Sequence, residues 1–243
     1  MTIRMTLVMM IGLLSAAFSQ TTTSIHLFQN YFWDADVTDT AYDEAFVDLR
    51  SYDFGSTNSF GIKGGFALTP QFEMNGQLAL VSRSVKNVDS NFGLSDLLVS
   101  GRFLPYQQNG TTLAVGAQLI LPLGDEDVGY GRGGFGMFGA LRRKVSEKAL
   151  LAASMGVDIV PEVVGVDENV AALKIGGGWI QSLDQRTHII AEAVLISRVD
   201  YLVISGGLDH LLANNAHLRV VLGLGMDKES PKVFMSAGYT FSF

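Results

Sequence analysis

The side chains best suited to proton transfer in this 243-residue sequence are four histidines: His26, His188, His210 and His217. A hydrolase would need one of them beside a nucleophile and held by a third polar group. His188 and His217 sit near short turns, and Ser182 or Ser205 could lie close, but no spacing joins them into a triad. The chain therefore reads as a non-enzyme with no catalytic residue. Gly129-Tyr130-Gly131-Arg132-Gly133-Gly134 has the form G-x-G-x-x-G. That fingerprint holds a dinucleotide only between a strand and a helix; here a strand follows, so the stretch reads as an external loop and no cofactor is expected. Asp125-Glu126-Asp127 offers oxygen ligands without the spacing of a calcium loop and reads as a solvated acidic loop. The sequence has no cysteine, which removes disulfides, thiolate metal sites and thiol nucleophiles together.

A broader pattern lies in the charged and amide residues. Asp48, Arg50, Lys63, Glu73, Gln77, Asp96, Arg102, Gln118, Lys174, Glu192, Asp209 and Arg219 fall on one face of segments that alternate with a period of two. An Arg or Lys turned to lipid at mid-depth costs about 2–4 kcal/mol, so this face must point inward in a membrane barrel. Two readings follow: a channel lining, or a sealed polar core whose ions pair with one another. A turn centred on Asp184 would make Lys174 and Glu192 diagonal neighbours, and such a pair would act on passing ions.

The elements that carry these residues are strands. Hydrophobic residues make up 48% of the chain, charged residues 17%, and the mean hydropathy is +0.27. That is too apolar for an ordinary soluble domain, yet beyond residue 20 no apolar run is long enough for a spanning helix. Only helices and closed barrels satisfy their backbones in lipid. About twelve alternating segments follow, at 44–53, 59–68, 71–83, 94–104, 112–121, 134–144, 149–158, 169–181, 187–197, 201–211, 216–226 and 232–243. Each has the length of a tilted bilayer-crossing strand, and the count is even, as in single-chain bacterial barrels. The fold expected is an all-β, antiparallel, up-and-down transmembrane barrel. Short links at 69–70, 106–110, 146–147, 182–186 and 213–215 alternate with longer ones at 84–93, 122–133 and 159–168, while 198–200 and 227–231 are short. Phe66, Phe72, Phe103, Trp179 and Phe241 lie near the short turns or the C-terminus on the apolar face, where a periplasmic aromatic girdle belongs.

Residues 1–19 read as a secretory signal peptide, with Arg4 ahead of an apolar stretch and small residues around the cleavage point. Residues 20–43 carry the aromatic cluster Phe28, Tyr31, Phe32 and Trp33, then Asp34, Asp36, Asp39 and Asp43. This segment is expected in the lumen, against the periplasmic rim, or as a disordered tail, and the barrel is expected over 44–243. Tyr239, Phe241 and Phe243 alternate to the C-terminal end and resemble the signal read by the outer-membrane assembly machinery. A net charge of −7 with no basic patch excludes nucleic acid as a partner.

Two stretches carry a family likeness. Gly93-Leu94-Ser95-Asp96-Leu97, running on through Arg102-Phe103, resembles a "G-L-G-D-L" strand. Leu121-Pro122-Leu123-Gly124-Asp125 with the glycine-rich 129–136 resembles an "L-P-T-G-D … G-x-G" segment. Both belong to the outer-membrane channels named after the meta-pathway of phenol degradation, relatives of long-chain fatty-acid and aromatic-hydrocarbon transporters. Ser95 and Leu123 depart from that family's glycine and threonine. The resemblance implies a Gram-negative outer-membrane barrel that takes up small, hydrophobic or aromatic molecules passively. Its partners would be membrane lipid, the assembly machinery and the solute. A structural barrel without transport and a lipid-modifying enzyme are the alternatives.

Overall fold

A computed structural model describes residues 33–38, 40–129, 133–161, 169–197, 200–212 and 216–243. The expected signal peptide, His26, the aromatics Phe28, Tyr31 and Phe32, Asp39, the loop residues Tyr130, Gly131 and Arg132, and the 213–215 turn lie outside the described residues. Thirteen strand segments run as β1 (Tyr42–Tyr52), β2 (Gly55–Thr69), β3 (Phe72–Val85), β4 (Asn91–Leu94), β5 (Leu97–Gln108), β6 (Thr111–Leu121), β7 (Gly134–Lys144), β8 (Ala149–Pro161), β9 (Asn169–Ser182), β10 (Thr187–Ile196), β11 (Tyr201–Leu211), β12 (His217–Gly225) and β13 (Val233–Ser242). Every pairing is antiparallel, and β13 pairs with β1 to close the ring. Both β4 and β5 pair with β3, so they are two pieces of one wall element, and the closed barrel has twelve.

The single expected strand 94–104 is interrupted at Ser95-Asp96. Leu94 faces Leu80 but Leu98 faces Gln77, so one extra residue bulges between them. Ser95 patches the gap: its N–H donates to the Ala79 carbonyl at 2.7 Å, and its Oγ accepts the Ala79 N–H at 2.9 Å. Farther along, β5 runs past its expected end to Gln108. Pro105, which has no N–H for the ladder, lies in a second register shift between Phe103 and Tyr106. Asn109 (φ 52°) and Gly110 (φ 70°) then make the two-residue left-handed turn that suits the twist of a hairpin.

Alternation along each strand sorts the side chains. Leu222, Leu224, Met155, Met137 and Phe60 are each more than half exposed on the outside, and Phe66, Phe103, Trp179 and Phe241 join them near the short-turn end. Water does not tolerate a continuous apolar belt of this size; hydrocarbon does. On the inside, the same strands bury Glu44, Asp48, Arg102, Lys174 and Arg219.

At the β9–β10 turn, Asp184 Oδ1 accepts the N–H groups of Arg186 (2.7 Å) and Thr187 (2.8 Å). The Arg186 bond first of all holds this exposed carboxyl below its ordinary range. A lowered folded value stabilises the turn above the unfolded carboxylate pKa, about 3.9, and the gain is lost as the pH falls through the folded value. Asp184→Ala is therefore expected to lower resistance to urea at neutral pH, and the gap to the parent protein should close in acid. A gap that persists at the acid end would contradict this role.

Candidate functional site

Residues 33–38, 40 and 41 lie ahead of the short-turn end of β1 and inside the barrel. Ala35 and Thr38 are fully buried and Asp34 is 2% exposed. Asp34, Asp36 and Thr38 are each held by inward side chains. Arg142 on β7 donates to both oxygens of Asp34 (Nε at 3.1 Å, Nη2 at 2.5 Å) and pairs with Asp36 at 2.7 Å. Arg102 on β5 donates to the Asp34 carbonyl at 2.9 Å and the Asp36 carbonyl at 3.3 Å. Glu73 on β3 accepts the Thr38 N–H at 2.8 Å.

Trp33 reaches the far wall, into a slot that the sequence leaves open. Phe138, Gly156 and Lys174 stand in one row across β7, β8 and β9. The Trp33 ring stacks on Phe138 (centroids 4.7 Å apart, planes 5°), and Lys174 Nζ lies 4.1 Å from its centroid. Gly156 supplies the room between them, because a Cβ there would come within 2.7 Å of Trp33 Cζ3.

Beside this segment, the short-turn half of the lumen is filled by ions. Glu44 pairs with Arg219 and, at 3.0 Å, with Lys63, and it accepts the Thr240 hydroxyl at 2.9 Å. Asp209 Oδ1 meets His217 Nδ1 at 2.7 Å. Buried charges persist only when paired in this way.

Among the described residues, the long-loop half holds free space. A cavity of about 420 Å³ lies there, lined by Asp48, Arg50, Gln77, Gln118 and Lys174 among others. Arg50 Nη2 donates to Asp48 at 2.5 Å, and Lys174 Nζ pairs with Asp158 at 3.0 Å. Gln118 reaches Asp158 at 2.8 Å across Gly136 on the intervening strand. The loop after β6 folds over one side of the cavity. Leu94 N–H donates to Asp125 at 2.7 Å, Gly124 N–H donates to Asp96 at 3.1 Å, and Val128 packs against Phe46, Ala79 and Val81. Asp125, expected to be solvated, thus fastens the loop to the strand break. The two stretches that carry the family likeness are in direct contact here.

Of the residues singled out by parity, Asp48, Glu73, Asp96, Arg102, Gln118, Lys174, Glu192, Asp209 and Arg219 are buried on the inner face. Arg50 and Lys63 are nearly so, and Gln77 lines the cavity. The expected pairing of Lys174 with Glu192 is incorrect. Lys174 faces Ile196 and Glu192 faces Gly178, four positions apart on β9. Asp184 caps a turn closed by the Leu183 N–H and the Thr187 carbonyl, and this moves the hairpin centre one residue on from Asp184. Lys174 turns to β8 instead, to Asp158.

Parity reasoning passed over Glu44, Arg142 and Asp158, although each shares a face with residues it did select. Ser182 Oγ and His188 Nδ1 are 3.0 Å apart. Asp209, opposite His188, is committed to His217. Tyr239, Phe241 and Phe243 form a file with centroids 6.4 and 5.7 Å apart.

No protein-family model matches the sequence, and no curated protein is a detectable relative. Among solved structures, the chain is similar to an outer membrane channel from Pseudomonas putida F1: 13% identity and a TM-score of 0.68 over 84% of this chain and 95% of that one. It is also similar to the KdgM porin in complex with disordered oligogalacturonate, at 9% identity and 0.60 over 83% and 99%. A third is the CymD monoaromatic hydrocarbon channel, at 8% and 0.52 over 86% and 90%. At such identities the likeness is one of fold. The chain has the closed antiparallel barrel seen in outer-membrane channels and porins.

Proposed function

We propose that this protein is a passive outer-membrane channel for small molecules, exported by its signal peptide and open towards the long-loop side. One observation carries the reading: a closed, lipid-compatible barrel holds a cavity of about 420 Å³ lined by polar groups and charges of both signs. A barrel that served only as a scaffold would gain nothing from keeping such a space. The resemblance of 93–103 and 121–136 to the meta-pathway channels supports small, hydrophobic or aromatic solutes. The competing reading is a sealed structural barrel. It draws on the short-turn half, where residues 33–38, 40 and 41 and their ion pairs occupy the lumen.

Uptake by liposomes separates the two. Vesicles loaded with the purified full-length protein are expected to admit small solutes and to exclude large dextrans. Uptake no faster than in protein-free vesicles would leave the sealed barrel.

Assembly supplies a further expectation. Phe243 ends the file of outward aromatics, and its N–H donates to the Ala41 carbonyl at 3.1 Å. Deleting Phe243 is expected to lower the yield of folded, heat-modifiable barrel in cells at every expression level. An unchanged yield would remove Tyr239, Phe241 and Phe243 as the assembly signal.

A further inference from the structure

The long-loop half of the lumen contains a row that the ion pairs do not use up. Thr57 on β2 faces Arg50 on β1 and Arg83 on β3, so the three stand side by side across adjacent strands. All three line the cavity. Strands lie about 4.8 Å apart, so the two arginine backbones are about 10 Å apart with a hydroxyl between them. The acids facing the same space are engaged: Asp48 by Arg50, Asp158 by Lys174 and Gln118, and Asp96 by the Gly124 N–H.

Arg83 differs from the other cations. Its Nη2 donates to the Val128 carbonyl at 3.4 Å, and among the described residues it has no carboxylate partner. It is half-buried, where a guanidinium without a counter-charge gains most from an anion. Next to it, the wall changes character. Val81 is the next inward residue on β3, and Phe46, Ala79 and the loop residue Val128 pack with it.

We propose that this vestibule binds small monocarboxylates that carry an apolar body. The carboxylate sits on Arg83, with the Thr57 hydroxyl and Arg50 beside it, and the body lies against Val81 and Val128. The proposal deepens the channel reading by naming a substrate class, and it rests on that reading for transport, though not for binding.

Calorimetry on the detergent-solubilised full-length protein tests binding directly, with benzoate as the probe and benzamide as its neutral counterpart. Benzoate is expected to bind about tenfold or more tightly than benzamide. Arg83→Gln should weaken benzoate by about that factor and leave benzamide unchanged, while Arg83→Lys, which keeps the charge and loses the fork, should fall between. Equal binding of the two probes, or benzoate binding indifferent to Arg83→Gln, would overturn the proposal. Benzoate that binds through Arg83 yet does not cross into liposomes would support the site and count against the channel. Benzoate that crosses faster than into protein-free vesicles, at a rate indifferent to Arg83, would do the opposite.

Discussion

Replacing Arg142 with methionine is expected to release the N-terminal segment from the lumen. Arg142 pairs with both Asp34 and Asp36, and Asp34 is 2% exposed. Removing one partner of a buried pair costs about 3–5 kcal/mol, because the other charge is left without compensation. A folded barrel can escape that cost by letting the segment leave for water. The ratio of docked to undocked segment should therefore fall by roughly two to four orders of magnitude. Trp33 reports it, since docking stacks its ring on Phe138. The sequence has two tryptophans, so a Trp179→Phe background leaves Trp33 as the only tryptophan to follow. The Arg142→Met variant should then show red-shifted emission and ready quenching by a water-soluble quencher, with gel mobility still that of a folded barrel. Emission that stays blue and protected would mean that Arg142 does not hold the segment.

The second large effect concerns the wall itself. Arg219→Met leaves Glu44, 4% exposed, with Lys63 and the Thr240 hydroxyl as its remaining partners, and takes from Asp209 its neighbouring cation. A loss of about 3 kcal/mol or more is expected in urea unfolding of the reconstituted protein. Glu44→Gln alone should also destabilise, by taking from Arg219 and Lys63 the carboxylate they share. The double variant should lose clearly less than the two single losses together, because each substitution removes one partner of the same ion pair. Strict additivity would mean that the two side chains do not form a working pair.

Much of this architecture is legible in the sequence for a simple physical reason. A barrel wall sorts side chains every second residue, so the strands and the inward face of Asp48, Arg102, Lys174 and Arg219 can be read from alternation alone. Parity carries no information about register between strands. The Lys174–Glu192 expectation failed by one residue in the position of a turn centre, which the Asp184 side chain decides. The bulge at Ser95-Asp96 has a similar origin, since its repair by Ser95 needs Ala79 on another strand.

The lumenal segment was harder to read, because residues 33–41 have no periodicity. What places them is a set of distant partners: Arg142, Arg102, Glu73 and the Phe138–Gly156–Lys174 row. The signal available was an inward phenylalanine at 138 with glycines at 136 and 156 on neighbouring positions, a bulky ring beside space for another. Glu44 and Asp158 were lost for a plainer reason: they sit at the ends of the expected segments, where alternation is weakest.

Single-channel recording in planar bilayers, with the full-length parent protein beside Arg142→Met, shows whether the lumen conducts. A channel narrowed from the short-turn side by its own N-terminal segment predicts small conductance steps in the parent protein and steps several-fold larger in the variant. If neither protein carries current, while both show the gel mobility of folded barrels, the lumen is sealed and the channel account is wrong.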